Sequence, residues 1–483
     1  MKRFAGLFLG AGASAELGMP LAWELTAEIK NWLTANKLQQ LNEGWKTQGG
    51  GYQDVVLNDL ISILARPEVH YEAALGFIEA QFRRQRALAQ QYHGLYSWLV
   101  DLVYHLLWFR QVNNASFLSR RLPDYDGLTA LVDSSAPLWI FSLNHDVMVE
   151  AIAARLSIPI YSGFSDETVS LPRRNKQLQK IGEVRAQVLT GQELDLGAMQ
   201  FPNPPKPGIY LLKVHGALDV FTFNDGKDLL KLIPDGSGPA GVIDVLRAAN
   251  EDLFYPLPGM PGGRAKTTNE IAYADEQGEM QFLRRSLLAG AFKFDQRASQ
   301  VLPLSLLKHF KANINFVSDL ACIGYAFGDN HINAVLREWL EFSPERQLEI
   351  IDPISPNIPA FLLHLAPQIK LTKSFATDYL DERAGIVRPR RATLEKRAVA
   401  ALRKLGKERA YTKLGSFLRQ EKSRIAEGLK AKIEALPLDD GKPSVEGLGP
   451  PDEIAGQWAS EIELSDEDAL DRLLSHLERQ DGS

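Results

Sequence analysis

The sequence has a single cysteine, Cys322, in 483 residues. No disulfide can form within the chain, and a zinc site built from several cysteines is excluded. No apolar run approaches the roughly 20 residues that a membrane-spanning helix needs. The apolar segment near the start is too short for a secretory signal. We therefore expect a cytoplasmic protein with no membrane anchor and no bound metal.

A large excess of charge of one sign is also lacking, because the formal net charge is −6. A chain this close to neutrality is not a general nucleic-acid binder. The hydrophobic content of 45% and the charged content of 24% are those of an ordinary globular protein. The length allows two or three domains and a large core.

The charges are spread unevenly near the C-terminal end. Residues 381–432 carry 16 Lys and Arg against 6 Asp and Glu, whereas residues 433–483 carry 3 against 14. We expect residues 376–483 to be a charged helical region that is regulatory or docks a partner. Its two halves are expected to attract each other. The alternatives to a docking surface are a solvated helical appendage, or a basic helix within 381–432 that contacts nucleic acid.

Six short apolar runs are typical of buried strands, and helical patterns separate several of them. These runs are residues 3–9, 136–141, 158–161, 209–214, 320–327 and 347–351. Strands that alternate with helices predict a parallel sheet. We therefore predict an α/β fold, a Rossmann-like parallel sheet flanked by helices. A helical insertion at about residues 52–110 separates its first two strands.

The remaining stretches are assigned by composition and spacing. Three polar stretches are expected to be loops or surface excursions, with short helices in the last of them: residues 36–51, 165–206 and 224–280. Two stretches have helical spacing of their apolar residues: 280–294 and 302–312.

The first strand runs into a turn with two glycines, Gly10-Ala11-Gly12-Ala13-Ser14, and a helical stretch follows at residues 21–33. A strand, a glycine turn and a helix can form a phosphate cradle. Glycine lets the backbone approach a pyrophosphate, and the N–H groups at the helix start point at it. The Ser14 hydroxyl adds a donor. The alternative is a plain tight turn, because two glycines after a strand are weak evidence alone.

Polar residues also follow three later strands. The segments concerned are Ser142-Leu143-Asn144-His145-Asp146, then His215-Gly216, then Gly324-Tyr325-Ala326-Phe327-Gly328-Asp329. Ligands of open parallel sheets bind at the edge where such strands end. An Asn144 amide can both donate and accept, and a His215 imidazole can take a proton near pH 7.

Structural roles are open for the same residues. Asn144 and Asp146 could cap the helix that follows them, and His215 could be a structural histidine. Asp329 is expected to be the N-cap of the helix that starts near Ile332. His145 and His331 have no assigned role.

In this order, the four motifs resemble the sirtuin family, and more closely the sirtuin-like domains of bacterial antiphage defence proteins, which consume NAD. The resemblance covers residues 1 to about 375 and implies an NAD-binding and NAD-hydrolysing domain there. It implies that Asn144 and His215 are catalytic. It also implies a set of NAD-binding residues: Gly10, Ala11, Gly12, Ser14, Asp146, Gly324, Ala326, Phe327 and Asp352.

The chain departs from the deacetylating sirtuins in two respects. It lacks their four-cysteine zinc ribbon, and Pro20 is followed by Leu21-Ala22-Trp23 instead of Asp-Phe-Arg. Both differences weigh against peptide deacetylation. The remaining reaction is cleavage of NAD with water as the acceptor. Ala326 also stands where many relatives have serine, which removes one hydroxyl contact to the ligand.

The resemblance implies an NAD glycohydrolase that releases nicotinamide and ADP-ribose, and so depletes NAD as an abortive-infection effector. It further implies a homo-oligomer and a protein partner such as a HerA-type ATPase or a short Argonaute. Two alternatives stay open. One is a non-catalytic regulatory module that binds NAD or ADP-ribose, and the other is an ADP-ribosyltransferase.

Overall fold

The computed structural model describes residues 4–260, 262–287, 304–404 and 410–439, together with 442–443 and parts of 453–479. By its internal contacts the chain divides into two units, residues 1–386 and residues 387–483. None of the described helices is both long and apolar enough to cross a membrane.

The strands of the first unit, as far as it is described, are numbered along the chain. They are β1 (Ala5–Leu9), β2 (Leu138–Ser142), β3 (Ile160–Tyr161), β4 (Thr168–Arg174), β5 (Lys180–Leu189), β6 (Ile209–Lys213), β7 (Val220–Phe223), β8 (Asp228–Leu232), β9 (Glu270–Ala274), β10 (Met280–Arg285), β11 (Asp319–Ile323), β12 (Gln347–Ile351) and β13 (Ile369–Thr372).

The α-helices of this unit are numbered in the same way. They are α1 (Ala22–Trp32), α2 (Ala35–Thr47), α3 (Asp54–Leu64), α4 (Tyr71–Arg84), α5 (Ala89–Asn113), α6 (Ala115–Arg121), α7 (Leu128–Ser134), α8 (Met148–Leu156), α9 (Gly191–Asp195), α10 (Pro239–Glu251), α11 (Ser305–Asn313), α12 (Asn330–Glu341) and α13 (Ala376–Ala384). Short 3-10 helices occur at Ala11–Leu17, Arg86–Leu88, Leu122–Tyr125, Ile314–Phe316 and Ala360–Gln368.

Seven strands form one sheet in the order β13-β12-β11-β1-β2-β6-β3, and every neighbouring pair is parallel. The six predicted strands are all in it, and β13 adds an edge that the sequence patterns did not indicate. The predicted α/β, Rossmann-like fold is confirmed. The chain builds β2, β6 and β3 on one side of β1 and later β11 to β13 on the other. The strand order therefore reverses beside β1, where open sheets bind ligands.

Both faces of this sheet are covered, which explains why its strands are continuous apolar runs. Leu7 and Leu9 point into one core, which they share with helices from the stretch between β1 and β2. Phe8, between them, points into the other core with Phe141 of β2 and Phe310 of α11. Because side chains alternate along β1, this strand contributes residues to both cores, one on each face of the sheet.

A second, antiparallel sheet has the order β4-β5-β8-β7-β10-β9. The prediction that 165–206 and 224–280 are loops or surface excursions is therefore wrong, because both stretches contribute strands. The signal was the two-residue period of β5, where Val184 and Ala186 are buried and Arg185 is exposed. The helix predicted from residue 280 is also wrong, since β10 occupies Met280–Arg285. Residues 288–294 of that prediction lie outside the described residues.

The predicted loop at residues 36–51 is mostly helix α2. Its polar composition hides a helical spacing, in which Leu38 and Asn42 are the buried positions. Thr34 caps its start by accepting a hydrogen bond from the backbone N–H of Lys37 at 3.3 Å.

Helix α13 belongs to the first unit, which ends at Ile386 rather than at about residue 375. Buried Glu16 accepts hydrogen bonds from the Thr377 backbone N–H at 3.0 Å and from its hydroxyl at 2.8 Å. These two bonds satisfy the start of α13 and hold it against the 3-10 helix that follows β1, which explains why this helix belongs to the first unit.

The second unit contains α14 (Arg390–Lys404), α15 (Ala410–Glu434) and a helical segment at 467–477. It also has the two-residue strands β14 (Leu438–Asp439) and β15 (Lys442–Pro443). A leucine cluster joins the three helical segments. Arg390 of the basic half pairs with Glu467 at 3.2 Å and with Asp471 at 2.6 Å. The two halves therefore attract each other, as the charge pattern predicted.

The turns that follow β1 and β11 touch through backbone alone. The N–H groups of Gly10 and Gly12 donate to the carbonyls of Ile323 and Gly324 at 3.0 and 2.9 Å. A Cβ added at Gly12 would lie 2.6 Å from the Gly324 Cα, and one added at Gly324 would lie 2.4 Å from the Gly12 Cα. Gly324 also has φ of +64°, which is unfavourable for other residues. The close approach requires glycine at these positions.

We expect Gly324→Ala to lower the free energy of unfolding by about 2 kcal/mol or more, because the methyl group meets backbone that cannot move aside and φ is positive. Chemical denaturation measures the change. Gly328→Ala in the same loop is the matched control, since a Cβ there has no atom within 4 Å. Equal stability of the two variants would contradict the proposed contact.

Candidate active site

The carboxyl ends of β1, β2, β6 and β11 surround a cavity of about 160 Å³. Six of the residues predicted from the sequence line it: Gly10, Ala11, Ser14, Asn144, Asp146 and His215. Three separate segments of the chain thus meet at one place, each directly after a strand of the parallel sheet.

Asn144 reaches from the end of β2 to the turn after β1. Its Nδ2 donates to the Gly10 carbonyl at 2.8 Å and to the Ser14 hydroxyl at 3.2 Å. Its backbone N–H donates to the Ser142 hydroxyl at 3.1 Å. The side chain therefore forms part of the cavity wall. It does not cap helix α8, so the structural alternative of an N-cap role is wrong for Asn144.

Asp146 both caps a helix and lines the cavity. Its carboxylate accepts a hydrogen bond from the Met148 backbone N–H at 3.0 Å, which caps the start of α8. The Ser14 hydroxyl, which donates to the Ala11 carbonyl at 3.4 Å, lies beside this carboxylate. Burial raises the pKa of Asp146 above its ordinary value, and the charge of Lys213 and the Ser14 hydroxyl offset only part of that effect.

His215 is 4% exposed and stands between the two sheets. The residue after it, Gly216, has φ of +78°, and a Cβ there would lie 2.0 Å from the Ser286 carbonyl oxygen. The Ala217 backbone N–H then donates to the Ser286 hydroxyl at 3.3 Å. The segment that leaves the antiparallel sheet after β10 therefore fixes the path of the chain at His215 and requires the glycine beside it.

The predicted N-cap role of Asp329 is confirmed, and the residue does more. Its Oδ1 accepts hydrogen bonds from the backbone N–H groups of His331 and Ile332, at 3.0 and 3.3 Å. Its Oδ2 lies 3.3 Å from Nε2 of His215. Nothing in the sequence relates these two residues, because they follow different strands and are more than 100 positions apart.

Four further residues with polar side chains line the cavity, and sequence patterns did not assign them to it: Tyr71, Glu72, His145 and Tyr325. Tyr71 and Glu72 come from the start of helix α4, and no spacing in the sequence tells which helix covers the sheet edge. Tyr325 and His145 stand within the quoted motifs, so their position next to predicted residues was the available signal.

Five of the predicted binding residues lie elsewhere: Gly12, Gly324, Ala326, Phe327 and Asp352 are absent from the cavity lining. The Phe327 ring contacts those of Tyr325 and Phe361, at centroid distances of 4.8 and 6.1 Å. The Asp352 Oδ1 accepts hydrogen bonds from backbone N–H groups two and three residues further on, both at 2.8 Å. Gly12 lies in the turn after β1, residues 324–327 follow β11, and Asp352 follows β12.

The glycine turn differs from the expected phosphate cradle. The N–H groups of Gly10 and Gly12 already donate to carbonyl groups at the end of β11. This packing requires glycine at both positions. The alternative of a plain tight turn therefore explains why Gly10 and Gly12 are glycines. A ligand at this turn would meet the Ser14 hydroxyl and the remaining backbone of the 3-10 helix Ala11–Leu17.

The cavity is acidic in character. Glu72 and Asp146 supply carboxylates and His145 and His215 supply imidazoles, while no Lys or Arg is among its described lining residues. Such a cavity suits a cationic or hydrogen-bonding group better than a free phosphate. Across the described residues, no three His, Cys, Asp or Glu side chains come together as a set of metal ligands.

Four buried charges lie behind the cavity. Lys213 pairs with Glu150 at 3.0 Å, and Lys231 pairs with Glu150 at 3.1 Å and with Asp219. Burial would raise the pKa of Asp219, but Lys231 and Lys213 hold it below its ordinary value. The Lys213 Nζ also donates to the carbonyl of Asp146. This charge cluster therefore connects both sheets to the Asn144–Asp146 segment.

We expect Lys213→Met to destabilise the protein by about 3 kcal/mol, because it leaves buried carboxylates with one cation between them. Thermal or chemical unfolding measures the loss. Lys180→Met is the control, since its partner Glu276 is 49% exposed and such surface pairs contribute under about 1 kcal/mol. A similar loss in both variants would count against a structural role for the cluster.

No protein-family model matches this chain, and the comparison with curated proteins finds no match. Among solved structures, the chain is similar to a Sir2 homologue in complex with NAD, at 9% identity and a TM-score of 0.34. The similar part covers 79% of this chain and 88% of that chain.

Two mutant Sir2 homologue structures are similar to the same extent. The complex with 2′-O-acetyl ADP-ribose is 11% identical with a TM-score of 0.34, and the complex with ADP-ribose is 12% identical with a TM-score of 0.32. Each covers 79% of this chain and 90% of its own. Values this low assign no role to any residue, so the roles below rest on the contacts of this chain.

Proposed function

We propose that this protein binds NAD at the carboxyl edge of its parallel sheet and cleaves the nicotinamide–ribose bond with water as acceptor. The products are nicotinamide and ADP-ribose. One observation carries the proposal: an amide, an imidazole and a buried carboxylate, from Asn144, His215 and Asp146, line one cavity beside the turn after β1.

The reaction places modest demands on the protein. The bond between ribose C1′ and the pyridinium nitrogen breaks through an oxocarbenium-like state, and its electron pair neutralises the pyridinium. No strong acid is required, because the leaving group is already cationic. A water oxygen bonds to C1′ and must lose a proton. The cavity therefore has to supply an orienting group and a base.

Asn144 is suited to orient the attacking water or a ribose hydroxyl. Hydrogen bonds from its Nδ2 to Gly10 and Ser14 fix the plane of the amide. The oxygen of the same amide is then held in a single direction, and an oxygen of this kind accepts from a water or a hydroxyl group. Fixed geometry of this sort is what lowers the entropy cost of the reaction.

His215 is suited to take the proton, since imidazole changes charge near neutral pH. The carboxylates of Glu72 and Asp146 supply negative charge around the nicotinamide end while its ring is still cationic. The Ser14 hydroxyl and the remaining backbone of the 3-10 helix Ala11–Leu17 would meet the pyrophosphate, because the N–H groups of Gly10 and Gly12 already donate within the protein. The proposed roles of Gly324, Ala326 and Phe327 are contacts to phosphate and ribose, and that of Asp352 is a contact to the adenosine ribose.

We expect His215→Ala and Asn144→Ala each to lower kcat for NAD cleavage by about 100-fold or more, while NAD binding weakens less. The measurement is the release of nicotinamide and ADP-ribose from NAD by the purified protein, with calorimetry for binding. His364→Ala is a matched control, because this histidine is on the surface and pairs with Glu341.

Other outcomes distinguish the alternatives. NAD binding without product in any condition would contradict the enzyme and favour a non-catalytic regulatory module. Nicotinamide release with ADP-ribose attached to protein, seen by mass spectrometry, would indicate an ADP-ribosyltransferase.

The biological part of the proposal concerns control of the activity. An enzyme of this kind depletes the NAD of its own cell unless it is restrained. We therefore assign it to abortive-infection defence, as a homo-oligomer with a partner such as a HerA-type ATPase or a short Argonaute. The second unit is the region proposed to dock this partner. Its ion pairs, such as Arg390 with Asp471, are partly exposed, so a competing charged surface could replace them at small cost.

We expect cells that express the chain with its genomic neighbour to lose NAD upon phage infection, and cells with the His215→Ala variant to keep it. Extracts taken before and after infection are assayed for NAD and ADP-ribose. Unchanged NAD in infected cells, with both proteins present, would contradict the defence role and would leave the chemistry to be tested with the purified protein.

A further inference from the structure

We infer that Asp329 is a positioning residue for the reaction and acts through His215, whose protonated ring its carboxylate stabilises. The inference rests on the proposed function and adds to it a residue outside the cavity lining. It gives the histidine a charged partner. A base that holds a proton transiently needs such a partner to stabilise its charged form.

The two oxygens of the Asp329 carboxylate have separate tasks. Oδ1 accepts from the backbone N–H groups at the start of α12, and Oδ2 lies 3.3 Å from Nε2 of His215. The side chains are 11% and 5% exposed. At this separation and burial, a carboxylate favours the charged form of its neighbour strongly compared with a surface pair.

The carboxylate is held in place independently of His215. The Asp329 backbone N–H donates to the Tyr325 hydroxyl at 3.2 Å, and this hydroxyl donates in turn to the Asn333 side chain at 3.0 Å. The Asn333 Nδ2 donates to the Phe327 carbonyl at 2.8 Å. The loop after β11 therefore fixes the position of the Asp329 carboxylate. This carboxylate acts on the imidazole of His215, which follows a different strand.

Several other titratable groups line the cavity beside His215. They are His145 and Asp146 after β2, Tyr71 and Glu72 from α4, and Tyr325 after β11. Asp329 lies at an ion-pair distance from the ring. Its removal should therefore change the titration of His215, whereas the other groups stay in place.

A purely structural role predicts a different result for one substitution. Asparagine caps helices about as well as aspartate does, so Asp329→Asn keeps the cap of α12 and removes the charge. If Asp329 only capped the helix, this variant would resemble the wild type in activity. If it stabilises the imidazolium, the variant is folded but slow.

We expect Asp329→Asn in the full chain to lower kcat for NAD cleavage by about 100-fold, with a small change in KM because the residue does not line the cavity. The acid limb of the kcat profile should move to lower pH, since the neutral imidazole then persists at lower pH. The melting temperature should stay near that of the wild type. Asp275→Asn is the matched control, because Asp275 also accepts two backbone N–H groups in a turn, at 3.0 and 2.8 Å.

An NMR titration of the His215 ring separates this inference from the proposed function, with His215→Gln to identify the signal. The ring should titrate at lower pH in Asp329→Asn than in the wild type. If the wild type cleaves NAD while the variant keeps its kcat, pH profile and ring titration, the inference is overturned and the proposed function stands. If the wild type cleaves no NAD, the proposed function fails, and an unchanged ring titration would overturn the Asp329–His215 coupling as well.

Discussion

The geometry of the site depends on the backbone contact between the turns after β1 and β11. Because Gly12 and Gly324 have no side chains, the two turns approach until their Cα atoms and amides touch. This contact sets the position of the Gly10 carbonyl, which accepts from Asn144. It also sets where the loop with Tyr325 begins. A methyl group at the contact would move both walls of the cavity at once.

Two groups of side chains then meet from different strands. On one side, the Asn144 amide donates to the Ser14 hydroxyl, which lies beside the buried carboxylate of Asp146. On the other, His215 lies against Asp329. The antiparallel sheet holds the second group through the segment after β10, and the buried charges behind the cavity hold the first. Contacts from both sheets therefore hold the residues to which the proposed chemistry is assigned.

The sequence was sufficient to predict six of the seven strands of the parallel sheet, because most of them are buried and are continuous apolar runs, whereas the partly exposed edge strand β13 gave no such signal. The same rule placed Asn144 and His215 at strand ends. The antiparallel sheet was missed because its strands are partly exposed, as at Arg185, and resemble polar loops in composition. The approach of Asp329 to His215 and the covering of the cavity by Glu72 depend on tertiary packing, for which a single sequence holds no periodic signal.

The most direct test of the account is the structure of the His215→Ala variant with NAD bound. The account predicts the nicotinamide ring in the cavity of Asn144 and Asp146, with ribose C1′ facing the place of the removed imidazole. Density for NAD at another surface of the protein, or a nicotinamide ring outside this cavity, would contradict it.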